Sequence, residues 1–157
     1  MIEMYKDVNG CTVSFSGEKD VFSGSPDHVL VLLHSVSGWV FTRHKARGLE
    51  FPGGKREKGE TIEEAAVREA YEETGAEISS LVYLGQYKVE CEDSSFVKSV
   101  YFARADRIAI KKDYLETDGP VILEKLPGNF SDPMFSFIMQ DRTIDFCFRR
   151  IRELNLI

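Results

Sequence analysis

Apolar and polar residues follow one another along the chain in a pattern that predicts several β-strands. His28–Ser35 is a continuous apolar run, typical of a strand buried on both faces. Gly38–His44 follows it after a Ser-Gly turn, so the two segments predict a hairpin. Leu81–Glu90 and Phe96–Ala105, joined by the polar sequence CEDSS, predict a second pair of strands, and Val13–Phe15 predicts a short strand.

A helix is predicted in the middle of the chain, after a break in regular structure. Phe51–Gly54 (FPGG) interrupts the strands and leads into the polar loop 55–60. Thr61 is a good N-cap, and Glu64 three residues later completes a capping box. Gly75 is placed to end the helix as its C′ residue.

The remaining segments complete a single α+β domain over residues 1–157. Residues 121–127 predict a further short strand, or the approach to a helix. Residues 143–153 carry apolar side chains largely at helical spacing with arginines outward, and predict a C-terminal helix. Trp39, Phe41 and Tyr101 are expected in the core.

Composition and charge exclude several classes of function. The net charge of −6 argues against non-specific binding to nucleic acid or to an anionic membrane, so no stable nucleic-acid complex is expected. The longest apolar stretch, Val29–Leu33, is too short to span a bilayer, and the N-terminus lacks the apolar run of a signal peptide. Cys11, Cys91 and Cys147 are odd in number and far apart, so reduced thiols and a cytoplasmic location are expected.

Three acids on the predicted central helix are the main candidate for chemistry. Glu69, Glu72 and Glu73 stand at i, i+3 and i+4, within an arc of roughly 100°. Their like charges repel one another, so a cation must compensate, and a hard divalent metal suits oxygen ligands. The acids border the apolar stripe of the helix, which indicates the rim of a cleft. Arg68 flanks them and can pair with Glu72 or reach back to Glu60. The competing interpretation is a charged surface helix.

The spacing of these residues resembles a known family signature. From Gly54 to Ala76 the chain matches the Nudix box, G-x5-E-x7-R-E-U-x-E-E-x-G-U, at every charged and glycine position, with small alanines at the two U positions. The wider string LEFPGGK (49–55) resembles the MutT-type branch, which sanitises nucleotide pools. YLGQYKV (83–89), YLETDGPV (114–121) and FSFIM (135–139) resemble the bacterial YtkD-type nucleoside triphosphatases.

This resemblance implies a Nudix fold, in which a mixed β-sheet is sandwiched between helices (α/β/α), and a site for Mg²⁺ or Mn²⁺. The implied metal ligands are the carbonyl of Gly53 and the side chains of Glu69, Glu72 and Glu73. A distal acid often completes such a site; Glu116 is the candidate, with Glu90 or Glu92 as alternatives. Glu60 and Arg68 would orient the carboxylates. Glu69 is the favoured general base, with Glu72 or Glu116 as alternatives.

The resemblance also implies hydrolysis of a nucleoside triphosphate, with oxidised purines such as 8-oxo-dGTP among the candidate substrates, to the monophosphate and pyrophosphate. A monomer or homodimer is expected. The candidate phosphate contacts are Arg43, His44 and Lys55, and the candidate base contacts are Asn129, Asp132 and Phe135, although surface charge or core packing also explains these residues. Other Nudix substrates stay open: an RNA 5′ end, ADP-ribose or a dinucleoside polyphosphate. A non-catalytic nucleotide sensor is the alternative from another class.

Overall fold

The computed structural model describes residues 1–157 as a mixed β-sheet with a helix on each face. The strands are β1 (Ile2–Lys6), β2 (Thr12–Ser16), β3 (His28–Ser35), β4 (Gly38–His44), β5 (Gly48–Glu50), β6 (Gly53–Lys55), β7 (Ala76–Glu77), β8 (Leu81–Glu90), β9 (Ser95–Arg104), β10 (Arg107–Ile108) and β11 (Thr117–Leu123). The helices are α1 (Ile62–Thr74) and α2 (Arg142–Glu153), with a 3₁₀ turn at Phe137–Gln140.

The main sheet runs in the order β1-β2-β8-β9-β3-β4-β11, with β5 paired to β4 and β6 to β3. β3 and β9 are parallel, and the other pairs are antiparallel. A separate two-stranded sheet joins β7 to β10. The hairpin of β3 and β4 and the pair of β8 and β9 confirm the strand predictions.

The two faces of β3 explain why this strand reads as a continuous apolar run. Val29, Val31 and Leu33 pack in one cluster with Ala65, Ala66 and Ala70 of α1. Leu30 and Leu32 pack in the other cluster, on the opposite face, with Ile144, Cys147 and Ile151 of α2. Side chains alternate between the faces of a strand, so a helix on each side buries all five apolar positions, 29–33. The expected sandwich of helices around a mixed sheet is confirmed.

Helix α1 begins and ends where the sequence predicts. The Thr61 side chain accepts a hydrogen bond from the Glu64 amide, and the Glu64 carboxylate accepts one from the Thr61 amide. Gly75 ends the helix in the left-handed region with φ 78°, and its amide donates to the Tyr71 carbonyl. A Cβ at Gly75 would lie 2.0 Å from the Ala109 carbonyl oxygen, so only glycine fits this close approach.

Two predictions of local structure need correction, and one strand was missed. Gly53–Lys55 was expected to be irregular, but it pairs with β3 as the short strand β6. The strand expected at 121–127 begins earlier, as β11, with a register shift between Thr117 and Pro120. β1 was not predicted, because it is an edge strand that alternates between exposed and half-buried residues and has no apolar run.

The prediction of three reduced thiols is wrong for two of them. Cys11 and Cys91 form a disulfide across 80 residues of chain, with their Cα atoms 4.5 Å apart. The register of β2 and β8 pairs Thr12 with Glu90, which sets the two flanking cysteines opposite each other. Cys147 is free and buried, as expected, and burial raises the pKa of its thiol. No helix of this structure has the length and apolar character needed to cross a membrane.

Candidate active site

The acids of α1 open into a cavity of about 220 Å³ beside the edge of β6. Its lining contains five glutamates and a single arginine, with an aromatic and an aliphatic side chain completing the wall: Glu57, Arg68, Glu69, Glu72, Glu73, Tyr114, Leu115 and Glu116. The three helix acids predicted to share a face therefore do so, and the face borders a cleft. The charge of this lining is strongly negative, which favours a cationic occupant.

Arg68 is the one cation in this lining, and it holds three carboxylates at once. Its Nε and Nη2 donate to the two carboxylate oxygens of Glu60, at 2.7 and 2.9 Å. Its Nη1 donates to Glu69 at 2.7 Å and to Glu72 at 3.1 Å. Both contacts left open by the sequence are thus present. The hydrogen bond from Arg68 lowers the pKa of the Glu60 carboxyl, which stays ionised.

Glu73 is the most buried acid of the cavity, with 8% of its surface exposed. Burial, reinforced by the charges of Glu69, Glu50 and Glu116, raises the pKa of its carboxyl to about 8, although the Gly53 amide donates to it at 2.9 Å. Burial also raises the pKa of Glu69, against the effect of Arg68. Gly54 has no Cβ, and one would lie 2.6 Å from a Glu69 carboxylate oxygen, so the glycine makes room for this acid.

The arrangement of acids can be compared with known proteins. The family described as NUDIX domain matches residues 22–118, a range that contains α1, β3 to β10 and the acidic cavity. The chain belongs to the Nudix family.

Relatives of this Nudix chain extend the match over nearly all of its length. The Bacillus subtilis protein YtkD, named provisionally as an 8-oxo-dGTP diphosphatase, is 45% identical over 98% of each chain. The Escherichia coli 8-oxo-dGTP diphosphatase is 66% identical, over 32 residues that make up 20% of this chain and 25% of that protein. The crystal structure of the Bacillus subtilis pyrophosphohydrolase BsRppH superposes with a TM-score of 0.93, at 43% identity and 96% coverage of both chains. The chain is a Nudix pyrophosphohydrolase.

The chemistry of the cavity fits the divalent metal that Nudix hydrolases generally use. Its donors are hard carboxylate oxygens, the kind that Mg²⁺ and Mn²⁺ prefer. As the side chains stand, no three acids are gathered at metal-ligating distance. Oxygens of Glu69 and Glu72 contact Arg68, and an oxygen of Glu73 contacts the Gly53 amide. A bound cation would therefore have to draw these carboxylates together, and would favour the ionised form of Glu73.

The distal acid expected from the family resemblance lies at this cavity. Glu116 follows Tyr114 and Leu115 in the wall that faces α1. The alternatives Glu90 and Glu92 lie at the end of β8 and in the turn after it, and neither lines the cavity. Gly53 is held beside Glu73 by its amide hydrogen bond.

The six candidate substrate contacts lie outside the lining of the acidic cavity. Arg43 is exposed on β4, and the Nδ1 of His44 accepts from the amides of residues 46 and 47 in the following turn. Lys55 ends β6, and its carbonyl accepts from Arg68. The side chains of Asn129 and Asp132 accept hydrogen bonds from amides two residues further on.

Phe135, the sixth candidate, is a core residue. It is 4% exposed and packs against Phe41 and Phe130, with ring centroids 5.8 and 5.0 Å away. Core packing, the alternative left open by the sequence, therefore accounts for this aromatic.

Several residues of the site were not identified from the sequence. Glu57 lies in the polar loop before α1, and Tyr114 and Leu115 directly precede the candidate Glu116, so proximity to identified acids was the available signal. Arg47 and Glu50 form a pair at 2.8 Å, with Glu50 buried, and the charge of Glu50 acts on Glu73. Nothing in the local sequence marks such long-range effects.

Proposed function

We propose that this Nudix enzyme is a divalent-cation-dependent hydrolase of nucleoside triphosphates that releases the monophosphate and pyrophosphate. The observation that carries the proposal is the cavity where Glu69, Glu72 and Glu73 face Glu116. Such a set of carboxylates repels a triphosphate unless a cation stands between them, and a cation there serves both binding and catalysis.

The proposed ligands of Mg²⁺ or Mn²⁺ are the carboxylates of Glu69, Glu72, Glu73 and Glu116, with the carbonyl of Gly53. When bound, the cation would neutralise phosphate charge and lower the pKa of a coordinated water. Arg68 holds Glu69 and Glu72 in place and is itself anchored by Glu60.

Glu69 is our candidate for the general base that takes the proton from the attacking water. Burial raises its pKa, which brings its basicity closer to that needed near neutral pH. Its carboxylate lies against Gly54, at the open edge of β6, where a substrate phosphate can approach. Glu72 and Glu116 are the alternatives.

We further propose that oxidised purine nucleotides such as 8-oxo-dGTP are among the substrates, which would make the enzyme a sanitiser of the nucleotide pool. The names of the two bacterial relatives support this assignment. Arg43, His44 and Lys55 remain candidates for phosphate contacts. Arg43 and His44 end β4 and Lys55 ends β6, so along the chain they precede and follow the Phe51–Gly54 segment. Asn129 and Asp132 remain candidates for the base edge, since amide and carboxylate groups can pair with guanine.

The metal-dependent reaction is tested with Glu72→Gln, and Glu77→Gln serves as the matched control because Glu77 lies on β7 outside the cavity. We expect Glu72→Gln to lower kcat/KM by more than about 100-fold with folding intact, since even residues behind metal ligands contribute 10- to 100-fold. EDTA should abolish wild-type turnover, and Mg²⁺ or Mn²⁺ should restore it. Turnover that persists in EDTA, or that is unchanged in Glu72→Gln, would overturn the proposal. Wild-type protein that binds nucleotide with metal present but does not hydrolyse it would instead favour the nucleotide sensor.

The substrate is tested with a panel whose products are resolved by chromatography. The panel contains 8-oxo-dGTP, dGTP, GTP, ADP-ribose, diadenosine tetraphosphate and a triphosphorylated RNA oligonucleotide. A kcat/KM for 8-oxo-dGTP well above that for dGTP supports the sanitation role. A higher kcat/KM for the RNA end, ADP-ribose or the dinucleotide contradicts it while leaving the hydrolase intact.

A further inference from the structure

The C-terminal end of α1 is fastened to the segment that carries Glu116. The last carbonyls of a helix lack intrahelical partners and need donors from elsewhere. Here the Glu73 carbonyl accepts from the hydroxyls of Thr42 and Thr117, at 3.0 and 3.3 Å. The Gly75 carbonyl accepts from the Ala109 amide at 2.8 Å. The wall that holds Glu116 is thus attached to the helix that holds Glu72 and Glu73.

Lys111 supplies the one charged contact in this attachment. Its Nζ donates to the carbonyls of Tyr71 and Glu72, at 3.2 and 2.9 Å. The same Nζ lies 4.8 Å from the ring centroid of Tyr71 and 5.4 Å from that of Tyr114. A cation at this position gives the Glu72 carbonyl a donor, adds a second donor to the Tyr71 carbonyl, and complements the negative end of the helix dipole.

The backbone of Lys111 also contacts the cavity wall, at Tyr114. Its amide donates to the Tyr114 hydroxyl at 3.1 Å. The Tyr114 ring packs against Gly119, where a Cβ would come within 3.0 Å of the ring. These contacts leave Tyr114, Leu115 and Glu116 facing the acids of α1.

The backbone of this wall needs such support. Leu115 has φ 60°, in the left-handed region that residues with a side chain rarely adopt. Glu116, the next residue, is exposed, so its own burial does not fix its position. A strained residue next to an exposed acid persists in one conformation only where its surroundings impose it.

We propose that Lys111 is a positioning residue for the metal site: it fastens the Glu116 segment to the C-terminal end of α1, so that Glu116 faces Glu72 and Glu73 and completes the cation shell. Lys111 does not line the cavity, so in this proposal it acts through Glu116. The inference rests on the proposed metal site and adds the residue that assembles it.

The test compares Lys111→Met with Lys112→Met, in which the same charge is removed from the next, exposed residue. Mn²⁺ binding is measured directly by titration calorimetry or electron paramagnetic resonance, without turnover. We expect Lys111→Met to weaken Mn²⁺ binding roughly 10-fold, as for other residues that orient metal ligands. Lys112→Met should bind like wild type, and Lys111→Arg should restore most of the affinity. Equal affinities for Lys111→Met and Lys112→Met would refute the role.

A double-mutant cycle tests whether Lys111 acts through Glu116. In the Glu116→Gln background, Lys111→Met should produce little further loss, because the acid it positions is already gone. Losses that multiply instead would show an independent, general effect of Lys111 on α1 and overturn the inference. Tyr114→Phe, which removes the acceptor of the Lys111 amide, provides a second variant should Lys111→Met not fold, and should weaken binding in the same direction.

The outcome is separable from the test of the proposed function. If wild-type enzyme binds no Mn²⁺ and its activity ignores EDTA, the metal site itself is wrong. If wild type binds Mn²⁺ and Lys111→Met matches Lys112→Met, only the role of Lys111 fails. In steady-state kinetics the Lys111→Met defect should appear as a higher Mg²⁺ concentration for half-maximal rate, with kcat recovered at saturating Mg²⁺.

Discussion

Replacing Glu73 by glutamine is expected to stabilise the metal-free enzyme while weakening its metal binding. Glu73 is buried among other acids, and its pKa is raised to about 8. Glutamine keeps an oxygen that can accept from the Gly53 amide, and it removes the ionisable group. The variant therefore isolates the free energy that the site spends on holding an acid in an unfavourable place.

The sign of the effect follows from proton binding. Between the ordinary carboxyl value of 4.5 and about 8, Glu73 is protonated in the folded protein and ionised in the unfolded chain. The folded state then binds more protons, so the stability of the metal-free wild type falls as pH rises through this window. Each pH unit above 4.5 corresponds to about 1.4 kcal/mol, which sets an upper bound of about 3.5 kcal/mol for the gain of Glu73→Gln at pH 7.

The assay is urea denaturation in EDTA at pH 5 and pH 8, followed by melting with Mn²⁺ added. The stability difference between Glu73→Gln and wild type should be small at pH 5 and should favour the variant at pH 8. Mn²⁺ should raise the melting temperature of wild type more than that of the variant, because it binds the ionised acid. Glu77→Gln, at the exposed residue of β7, should show neither effect. A difference that does not grow with pH, or a variant less stable at pH 8, would refute the reasoning.

Two further variants test other contacts. Arg68→Lys keeps the charge but loses the pair of hydrogen bonds from the guanidinium to Glu60. Urea denaturation should show that the free energy of unfolding falls by roughly 1–3 kcal/mol, and steady-state kinetics should show that kcat/KM falls roughly 10- to 100-fold. Wild-type values in both assays would contradict the orienting role. Replacing both Cys11 and Cys91 by serine should lower stability by about 4–5 kcal/mol, since the disulfide closes 80 residues. Reductant should lower the stability of the wild type by a comparable amount and leave that of the double variant unchanged. Three titratable thiols in untreated wild type would show that the disulfide is absent.

Local patterns predicted the elements whose own residues determine their structure. Thr61 and Gly75 mark the ends of α1 because capping is decided within a few residues of chain. The apolar run of β3 predicted burial on both faces because its side chains alternate between α1 on one face and α2 on the other. Edge strand β1 has no such signal, since its contacts lie with β2 and its residues are half exposed.

Long-range pairings were the part that the sequence did not reveal. Cys11 and Cys91 lie 80 residues apart, and only the register of β2 against β8 places them together. A disulfide is uncommon in reducing compartments, so the cytoplasmic location expected from the sequence stays a prediction. Lys111 likewise reaches α1 across 39 and 40 residues, and an isolated lysine in a polar loop gives no indication of that contact.

The reaction class could be predicted from local sequence, whereas the substrate could not, because its recognition depends on long-range contacts. The acids of the proposed metal site lie largely on one helix, so a spacing of i, i+3 and i+4 sufficed to place Glu69, Glu72 and Glu73 together. The base must be selected by side chains outside this helix, on strands and loops that the sheet topology brings together. Phe135 shows the consequence: its position before α2 suggested a base contact, whereas its packing against Phe41 gives it a role in the core. Specificity therefore has to be assigned residue by residue with bound nucleotide, because the helical spacing that identifies the reaction carries no information about the base.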